Sequence, residues 1–480
     1  MTDNLPSLLE PEASGGDTAE RGFSFQEQVA LALIPDWLAY EGFAQLIREA
    51  MGDIEAQFFV PGHGIQNELI EVKNHRLAPS EFWKEIARFQ EINEGCPGDY
   101  RWFTLVSPGI SDDLKPLING LRRIRLPYGF YPPGSAVQNN SFAAYVKVVE
   151  NLGRSDQVAQ FLFEKVLLRP DWGLAQDDGE ALFRQALAEH LPAYENVSQR
   201  AVRDIYLGVG ALVKKRRGEP ITRRELETAL RHAVPERQRP PFPSIHVHTV
   251  GSEEDSLDPR KLCFDWRAFF GGAMREYPAP NVWDEGLVEE LLEARRWITH
   301  YRSTKKIHLT GSRRLSAAFA FGSVFSAVAG FSIVMNYRGQ QWSTQAHPVV
   351  DTPSYLPEVE SRGRTSSDLV VTIGILRDIR SNVESALPRL QLAESSRLDI
   401  VGREPLRSPE EAKMAVRAIK TIIADTVTQL RSQAIQLFLA IPSPLAMYLG
   451  HHLNATAPIQ CYEWVSSDQY VRSCRLPQGG

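Results

Sequence analysis

Residues 52–73 read GDIEAQFFVPGHGIQNELIEVK, and this stretch decides the fold of the first part of the chain. Its two halves, 53–60 and 65–73, are rich in residues that favour β-strands. Between them, Pro61-Gly62-His63-Gly64 is a turn signal. We therefore predict a β-hairpin in which the chain runs out along the first half and returns along the second.

Three side chains of this hairpin could take part in catalysis or metal binding, and the length of the turn decides whether they lie close together. A three-residue turn places Asp53 opposite Glu71, a five-residue turn places it opposite Lys73, and a four-residue turn directs it to the other face. Two carboxylates offer the oxygen ligands that Mg²⁺ takes in proteins. A bound metal polarises a phosphodiester and lowers the pKa of a water, and a nearby lysine orients that water or neutralises charge on the phosphate.

This combination of an Asp with an E-x-K motif is the pattern of the P-D-(D/E)-x-K nucleases. Taken alone, such a motif is more often the polar edge of a sheet. Two neighbouring segments favour the nuclease interpretation: Gly22–Glu27 opens a helix before the first strand, and Ser80–Ile86 opens an amphipathic helix after the second, with Ser80 as its N-cap. The order helix, hairpin, helix suits a nuclease core.

The composition is typical of a soluble globular protein with more than one domain. At 480 residues the chain exceeds the roughly 250–300 residues at which single cores stop growing. Hydrophobic residues make up 43% of the chain and charged residues 23%. The polar, acidic N-terminus carries no secretory signal, so we expect residues 1–14 to be a disordered leader and the protein to be cytoplasmic. The four cysteines are too scattered for a disulfide framework or a zinc site.

The net charge of −6 argues against a protein that simply coats nucleic acid. A DNA-binding surface would have to be local, and the basic patches are LRRIRL at 121–126 and KKRR at 214–217. Such side chains bind phosphates without regard to sequence. Each patch is equally well explained as the solvated face or end of a helix.

The chain divides into two α/β domains at a proline-rich stretch. We predict an α/β nuclease core over 15–114 and a helical extension over 115–238, where apolar residues recur at helical spacing. Residues 239–244 form the linker, and 245–480 form the second domain.

The second domain alternates predicted strands and helices in the order of a doubly wound α/β fold. A strand over 306–310, a helix over 315–328 and a strand over 331–335 make one unit, and similar units follow from 369 to 464. Two doubly wound halves in tandem fit this pattern. The uncharged run 315–336 is long enough to span a bilayer. Its serines and glycines and the strand–helix–strand division argue against a membrane helix.

Doubly wound sheets bind ligands beyond the carboxyl ends of their strands, where helix N-termini offer N–H groups to phosphates. The candidate ligand residues lie at three such points or are aromatic side chains that can stack on bases. They are Thr310, Gly311, Ser312, Arg313 and Arg314; Thr372; Pro442, Ser443 and Pro444; and Trp342 and Tyr462. A phosphate-rich ligand that straddles both halves is the functional interpretation. The alternative is that these residues form ordinary turns and that the aromatic side chains belong to the core.

Several segments, taken together in order and spacing, resemble a known family. The second domain resembles the SAVED domain, a fusion of two CARF-like units found in bacterial anti-phage CBASS effectors. The segments that carry this resemblance are Phe264-Asp265-Trp266 with Arg275 and Trp283, IHLTGSRRLSAAFAFGS at 307–323, LVVTIGIL at 369–376, and LFLAIPSPLAMYLGHHLN at 437–454 followed by CYEW.

The first domain is similar to the endonuclease domain that precedes SAVED in those effectors. The similarity lies in Gly22-Phe23-x-Phe25-Gln26, in GDIE at 52–55 and in Glu71-Val72-Lys73. Family members often carry Gln where this chain has Glu71, and the acidic form suits metal binding at least as well. The resemblance covers most of residues 15–480.

The resemblance implies a restriction-endonuclease-like core joined to tandem Rossmann-like units. It implies that a cyclic oligonucleotide, made by a partner nucleotidyltransferase during infection, binds the SAVED domain and drives self-association into a homo-oligomer. We expect a cyclic trinucleotide of the oligoadenylate type. The nuclease domains then degrade double-stranded DNA: Asp53 and Glu71 hold Mg²⁺, Lys73 orients the attacking water, and Gln26 assists from the first helix.

Two other functions remain compatible with the sequence. The chain can be a non-catalytic nucleotide sensor whose hairpin is only a structural edge, or its nuclease can act on RNA rather than DNA. A Mg²⁺-dependent cleavage assay with and without ligand, on both nucleic acids, separates the three.

Overall fold

The computed structural model describes residues 11–128, 130–131, 134–172, 179–252, 257–345, 357–363, 367–406, 408–453, 456–466 and 469–477. The chain divides into two compact units, Met1–Pro241 and Phe242–Gly480, and the division falls inside the proline-rich stretch 239–244. Most of the leader expected over 1–14 lies outside the described residues, and the first helix begins at Pro11.

The first unit is a six-stranded sheet between two layers of helices. Its strands are β1 (Phe43–Arg48), β2 (Ile54–Val60), β3 (Gly64–Val72), β4 (Tyr100–Val106), β5 (Val166–Arg169) and β6 (Ile221–Thr222). Its helices are α1 (Pro11–Ala39), α2 (Pro79–Gly95), α3 (Lys115–Tyr128), α4 (Ala136–Glu150), α5 (Asp156–Lys165), α6 (Gly179–His190), α7 (Gln199–Lys215) and α8 (Arg223–His232).

The strand order in this sheet is β5-β4-β3-β2-β1-β6. The strands β1, β2 and β3 are antiparallel to one another, whereas β4 and β5 run parallel to β3. Successive residues of a strand point to opposite faces, so Ile70 packs with α1 and α6–α8 while Leu69 packs with α2–α5. Residues 115–238 are mainly helical, and they also supply both edge strands, β5 and β6.

The helix after the hairpin forms, but its N-cap differs from the prediction. Helix α2 begins at Pro79, and its N-cap residue is Ala78, which makes no side-chain cap hydrogen bond. The expectation that Ser80 caps this helix is therefore wrong. Proline suits the first turn because its fixed φ is already helical and its missing N–H needs no partner there.

The second unit contains two mainly parallel sheets. Its strands are β7 (Ile245–Val250), β8 (Leu262–Asp265), β9 (Lys306–Gly311), β10 (Ser332–Tyr337), β11 (Gln340–Ser343), β12 (Glu358–Arg362), β13 (Asp368–Gly374), β14 (Ser396–Val401), β15 (Ala434–Ala440), β16 (Ile459–Ser466) and β17 (Gln469–Leu476). Its helices are α9 (Pro280–Val282), α10 (Glu289–Tyr301), α11 (Leu315–Val324), α12 (Arg380–Ala386), α13 (Pro409–Leu430) and α14 (Ser443–His452).

The two sheets confirm the expectation of two Rossmann-like halves. Their strand orders are β11-β10-β9-β7-β8 and β12-β14-β13-β15-β16-β17. Strands β7 to β10 are parallel in the first sheet, and β13 to β16 are parallel in the second. Antiparallel edge strands, β11, β12 and β17, complete the sheets.

Helix α11 is shorter than expected. It ends at Val324 rather than at 328, and β10 begins only at Ser332. The uncharged run 315–336 is thus a helix, a loop and a strand. Across the ranges that the structure describes, no helix has both the length and the apolar character needed to cross a membrane.

Helices α11 and α14, one from each half, pack against each other through two glycines. A Cβ on Gly322 would lie 2.0 Å from the Met447 carbonyl oxygen, and a Cβ on Gly450 would lie 2.1 Å from that of Phe319. No side chain larger than hydrogen fits at either position. The two backbones can therefore approach closely, which joins the two halves of the unit.

Candidate functional site

The hairpin has the register that brings the acids together. Ile54 pairs with Ile70 and Val60 pairs with Gly64, so three residues form the turn. Continuing this register by one position places Asp53 opposite Glu71. Of the turn lengths that the sequence allows, the structure therefore has the one that sets these two carboxylates on the same face.

Asp53 is fixed at the start of β2 by two hydrogen bonds. Its Oδ2 accepts a hydrogen bond from the backbone N–H of Val72 at 2.7 Å, and its Oδ1 accepts one from Nε2 of Gln26 at 2.7 Å. Gln26 lies on α1, so the helix before the hairpin contacts the first acid. These bonds leave a lone pair on each carboxylate oxygen for another partner.

Glu71 belongs to a closed ring of four charges that includes two residues of α2. Lys73 Nζ lies 3.0 Å from Glu71 Oε1 and 2.9 Å from Glu85 Oε1. The Arg88 guanidinium pairs with Glu71 Oε2 and lies 3.1 Å from Glu85 Oε2. Each cation therefore bridges both carboxylates. The sequence analysis missed Glu85 and Arg88, although their i,i+3 spacing on the helix directly after the hairpin is a usable signal.

The environment changes the pKa of two of these groups. Burial, and then the negative charge of Glu71, raise the pKa of Asp53 to about 6, although the hydrogen bond from Val72 and the charge of Lys73 oppose them. Burial alone would lower the pKa of Lys73, but hydrogen bonds and charge from Glu85 and Glu71 outweigh it and raise the pKa above its ordinary value. Lys73 therefore stays a charged ammonium at neutral pH.

The oxygen atoms around Asp53 are suitable ligands for a hard divalent cation. Gln26 Oε1 is buried and has no hydrogen-bond partner among the residues that the structure describes, which normally costs about 1–3 kcal/mol. A cation, or a water bound to one, would satisfy it. Within the described ranges no three His, Cys, Asp or Glu side chains converge on one point. Two carboxylates and water are nevertheless a common arrangement for Mg²⁺, which keeps several waters.

The basic patches lie on helices of the first unit. In the patch 121–126 of α3, the Arg125 guanidinium donates to the carbonyls of Leu162 and Phe163. In the patch 214–217, at the end of α7, Arg216 pairs with Glu219 and Glu225. Part of each patch therefore holds the fold together.

The turn after β9 is the sensor feature that the sequence indicated most strongly. Gly311 has a positive φ of 84°, and a Cβ there would lie 2.0 Å from the Thr249 carbonyl oxygen. Ser312 Oγ accepts a hydrogen bond from Gly251 N–H at 3.2 Å, and Thr310 Oγ1 donates to the Val247 carbonyl at 3.2 Å. The turn is thus pinned to the carboxyl end of β7, as a doubly wound site requires.

The two arginines of this turn point in different directions. Arg313 donates to Thr249 Oγ1 at 3.0 Å, back toward its own turn. The Arg314 guanidinium lies over the rings of Phe270 and Tyr277, at 4.2 and 4.9 Å from their centres. Burial lowers the pKa of Arg314, but a guanidinium is still charged at neutral pH.

A carboxylate of the chain occupies the N-terminus of α11, where we expected phosphate. Glu463 Oε1 of β16 accepts a hydrogen bond from Ser316 N–H at 2.9 Å. Burial raises the pKa of Glu463, and the bond from Ser316 and the charge of Arg314 oppose that rise. The N-terminus of α11 in the first half of this unit is therefore hydrogen-bonded to Glu463 of the second half.

Several expected ligand residues are buried. Trp342 is 3% exposed and packs between the rings of Tyr337 and Tyr448. Tyr462 is 4% exposed, stacks on Phe438 at 4.3 Å, and donates to Gln436 Oε1. Neither ring offers a face to a base. They are core aromatics.

The other expected points lie at or inside the second sheet. Thr372 is 1% exposed in the middle of β13, two residues before the strand ends. Pro442, Ser443 and Pro444 open α14, with Pro442 as its N-cap. Ser443 Oγ is buried, and no hydrogen-bond partner for it exists among the residues described. Thr372 Oγ1 is likewise buried with no partner among the described residues, so this property does not single out the start of α14.

The structure brings together an aromatic and cationic surface of which only Arg314 was predicted from the sequence. Trp464 is 42% exposed, and the Arg377 guanidinium lies 4.5 Å from its ring centre. Tyr277 donates to the Trp464 carbonyl at 3.2 Å and carries Arg314 over its ring. These four residues, which we call the Trp464 surface, lie around the carboxyl ends of strands from both halves. Exposed aromatic rings and guanidiniums are what bases and phosphates bind.

Comparisons with known proteins find a sensor-domain family whose model matches much of the second unit. The family model of the "SMODS-associated and fused to various effectors sensor domain", SAVED, matches residues 291–476. Two curated proteins with the name CD-NTase-associated protein 4 are similar along nearly the whole chain. The one from an Acinetobacter species is 27% identical over 98% of this chain and 99% of its own, and the one from Moraxella osloensis is 27% identical with the same coverage.

Solved structures have the same fold. The Cap4 SAVED/CARF-domain containing receptor of Acinetobacter baumannii, with the cyclic trinucleotide 2'3'3'-cAAA, has a TM-score of 0.83 at 24% identity and covers 95% of this chain and 98% of its own. The same receptor with 3'3'3'-cAAA also has a TM-score of 0.83, at 23% identity, with 95% and 99% covered. The Moraxella osloensis Cap4 receptor has a TM-score of 0.80 at 23% identity, with 95% and 100% covered.

Proposed function

We propose that this chain is a CBASS effector, an endonuclease that a cyclic oligonucleotide activates to degrade double-stranded DNA in anti-phage defence in the bacterial cytoplasm. One observation carries the proposal: a three-residue turn sets Asp53 opposite Glu71, and Lys73 lies 3.0 Å from Glu71. Two acids and a charged amine on one face can supply metal ligands and charge stabilisation for metal-dependent phosphodiester hydrolysis.

In the proposed reaction, Asp53 and Glu71 are the ligands of one Mg²⁺. When bound there, the metal would polarise a phosphodiester and lower the pKa of a bound water. Gln26 fixes the orientation of Asp53 and presents its free Oε1 to the same place. Lys73 acts as a charged ammonium, because its pKa is raised: it orients the attacking water and offsets charge on the phosphate, and it does not accept a proton.

The proposed activator is a cyclic trinucleotide of the adenylate type. Two solved structures of one relative with the same fold, the Acinetobacter baumannii receptor, contain the cyclic trinucleotides 2'3'3'-cAAA and 3'3'3'-cAAA, and the curated relatives are named as associated with CD-NTases. A partner nucleotidyltransferase is therefore the proposed source. The Trp464 surface, with the turn 310–314, is the proposed place of binding, and binding drives assembly into a homo-oligomer.

Substitution of Lys73 tests the catalytic assignment. Lys73→Ala should abolish Mg²⁺-dependent plasmid cleavage while leaving cyclic trinucleotide binding, followed by calorimetry, unchanged. Lys84→Ala is the matched control, because Lys84 is an exposed cation on α2. Cleavage by Lys73→Ala at the wild-type rate would refute the assignment. Cleavage of RNA but not DNA by the wild type would change the substrate and keep the site.

A further inference from the structure

The closed ring of charges around Glu71 has a consequence for metal loading. Glu71 and Glu85 carry two negative charges, and Lys73 and Arg88 carry two positive charges, so the ring is neutral by itself. Both oxygens of Glu71 already have a cationic partner. A divalent cation that uses Glu71 must therefore compete with one of these two side chains.

The geometry decides which cation yields. Lys73 directly follows the last residue of β3, and its side chain is 20% exposed, whereas the Arg88 side chain on α2 is 36% exposed. Returning Arg88 to water is therefore the less costly change. Arg88 also keeps a second partner when it leaves Glu71, because its Nε lies 3.1 Å from Oε2 of Glu85 on its own helix.

We propose that Arg88 is an exchangeable counter-ion of the nuclease site: its guanidinium holds Glu71 in the metal-free protein and releases it when a divalent cation binds. This inference rests on the proposed function, since it concerns the same metal site. Arg88 is a positioning residue in this account, because it holds the free carboxylate in place and weakens metal binding by competition. The metal then loads only where its concentration, or the added ligands of a bound phosphodiester, overcome that competition.

The affinity for Mn²⁺, measured by calorimetry on the full chain without nucleic acid or nucleotide, tests the proposal. Arg88→Met removes the charge and keeps much of the volume, so Mn²⁺ should bind roughly 1.5-fold to 5-fold more tightly, the equivalent of one partly exposed ion pair. Arg88→Lys keeps the charge but replaces the forked guanidinium with a single ammonium, and its affinity should lie in between. The matched control, Lys84→Met on the exposed side of α2, should bind Mn²⁺ as the wild type does.

A structural role and a competing role give opposite results. If Arg88 only supports the fold, Arg88→Met lowers the affinity for Mn²⁺ together with the thermal midpoint. Unchanged or weaker binding by both Arg88 variants would overturn the proposal, and Arg88→Lys alone decides the matter if Arg88→Met does not fold. Asp53→Asn distinguishes failure of the proposed metal site from failure of the proposed role of Arg88. If Asp53→Asn binds Mn²⁺ like the wild type, the proposed metal site is wrong. If Asp53→Asn loses Mn²⁺ binding but both Arg88 variants bind it as the wild type does, only the counter-ion role of Arg88 is wrong.

Discussion

At the scale of single residues, Tyr462 and Trp464 explain why one aromatic side chain is core and its neighbour is surface. Both lie on the same face of β16, because strand side chains alternate. Tyr462 is level with Phe438 in the middle of the sheet and stacks on it. Trp464 is two positions further, beyond the paired part of β15, where its ring is 42% exposed. The position along the strand, rather than the residue type, decides which ring a base can reach.

Replacing Trp464 tests the proposed sensor surface. Trp464→Ala should weaken binding of a cyclic trinucleotide by about 1–3 kcal/mol, the usual contribution of one stacked base, or roughly 5-fold to 150-fold in Kd. The control is Tyr462→Phe, which removes the buried hydroxyl that hydrogen-bonds Gln436 and Arg472 but keeps the ring, and should leave the Kd unchanged. Equal affinity of the wild type and Trp464→Ala, measured by calorimetry, would remove this surface from the ligand site.

At the scale of elements, the hairpin was predictable but its register was not. The strand-forming runs around Pro61–Gly64 indicate two strands, and both form. The sequence leaves three turn lengths open, because the choice depends on cross-strand packing of the whole sheet rather than on the turn residues alone. The same limit explains why Glu85 and Arg88 were missed: only the packing of α2 on the sheet brings them to Glu71.

The burial of Trp342 and the occupation of the α11 N-terminus were not predictable for a related reason. The strands, helices and βα turns of the second unit follow from periodicity, and the turn 310–314 lies at the carboxyl end of β9 as expected. Burial of Trp342 depends on the edge strand β11, which a four-residue segment with no clear pattern forms. Occupation of the α11 N-terminus by Glu463 is a contact between residues 147 positions apart. Local patterns do not contain such information.

The packing of α11 on α14 is an element-scale property that one methyl group can break. Gly322→Ala places a Cβ 2.0 Å from the Met447 carbonyl oxygen, so the two helices must move apart. We expect a loss of roughly 2–3 kcal/mol in stability and weaker nucleotide binding, since the two halves carry the Trp464 surface together.

Gly208→Ala on α7 is the matched control for this substitution. Nothing lies within 4 Å of its added Cβ, so alanine should stabilise that helix by about 0.5–1 kcal/mol. The measurement is thermal unfolding of the full chain, with nucleotide binding as the second readout. An unchanged midpoint in Gly322→Ala would show that the close approach of α11 and α14 carries no stability.

At the scale of the whole molecule, the two units carry different chemistry. The first unit concentrates acids and amines at one end of a hairpin, and the second presents aromatic and guanidinium groups at the carboxyl ends of its strands. Neither set of residues has the functional groups that the chemistry proposed for the other set requires. The proposed recognition of a nucleotide and the proposed hydrolysis of a phosphodiester should therefore be separable by mutation, and the proposed function requires that the first controls the second.

The most direct test of this control is degradation of plasmid DNA by the wild-type protein in Mg²⁺, with no nucleotide and with each of a panel of cyclic di-, tri- and tetranucleotides. The account predicts intact plasmid without nucleotide and degraded plasmid with one cyclic trinucleotide of adenine. It also predicts that removing Mg²⁺ with a chelator restores intact plasmid. Degradation at the same rate with and without every nucleotide of the panel, or intact plasmid under all conditions while a cyclic trinucleotide binds, would contradict it.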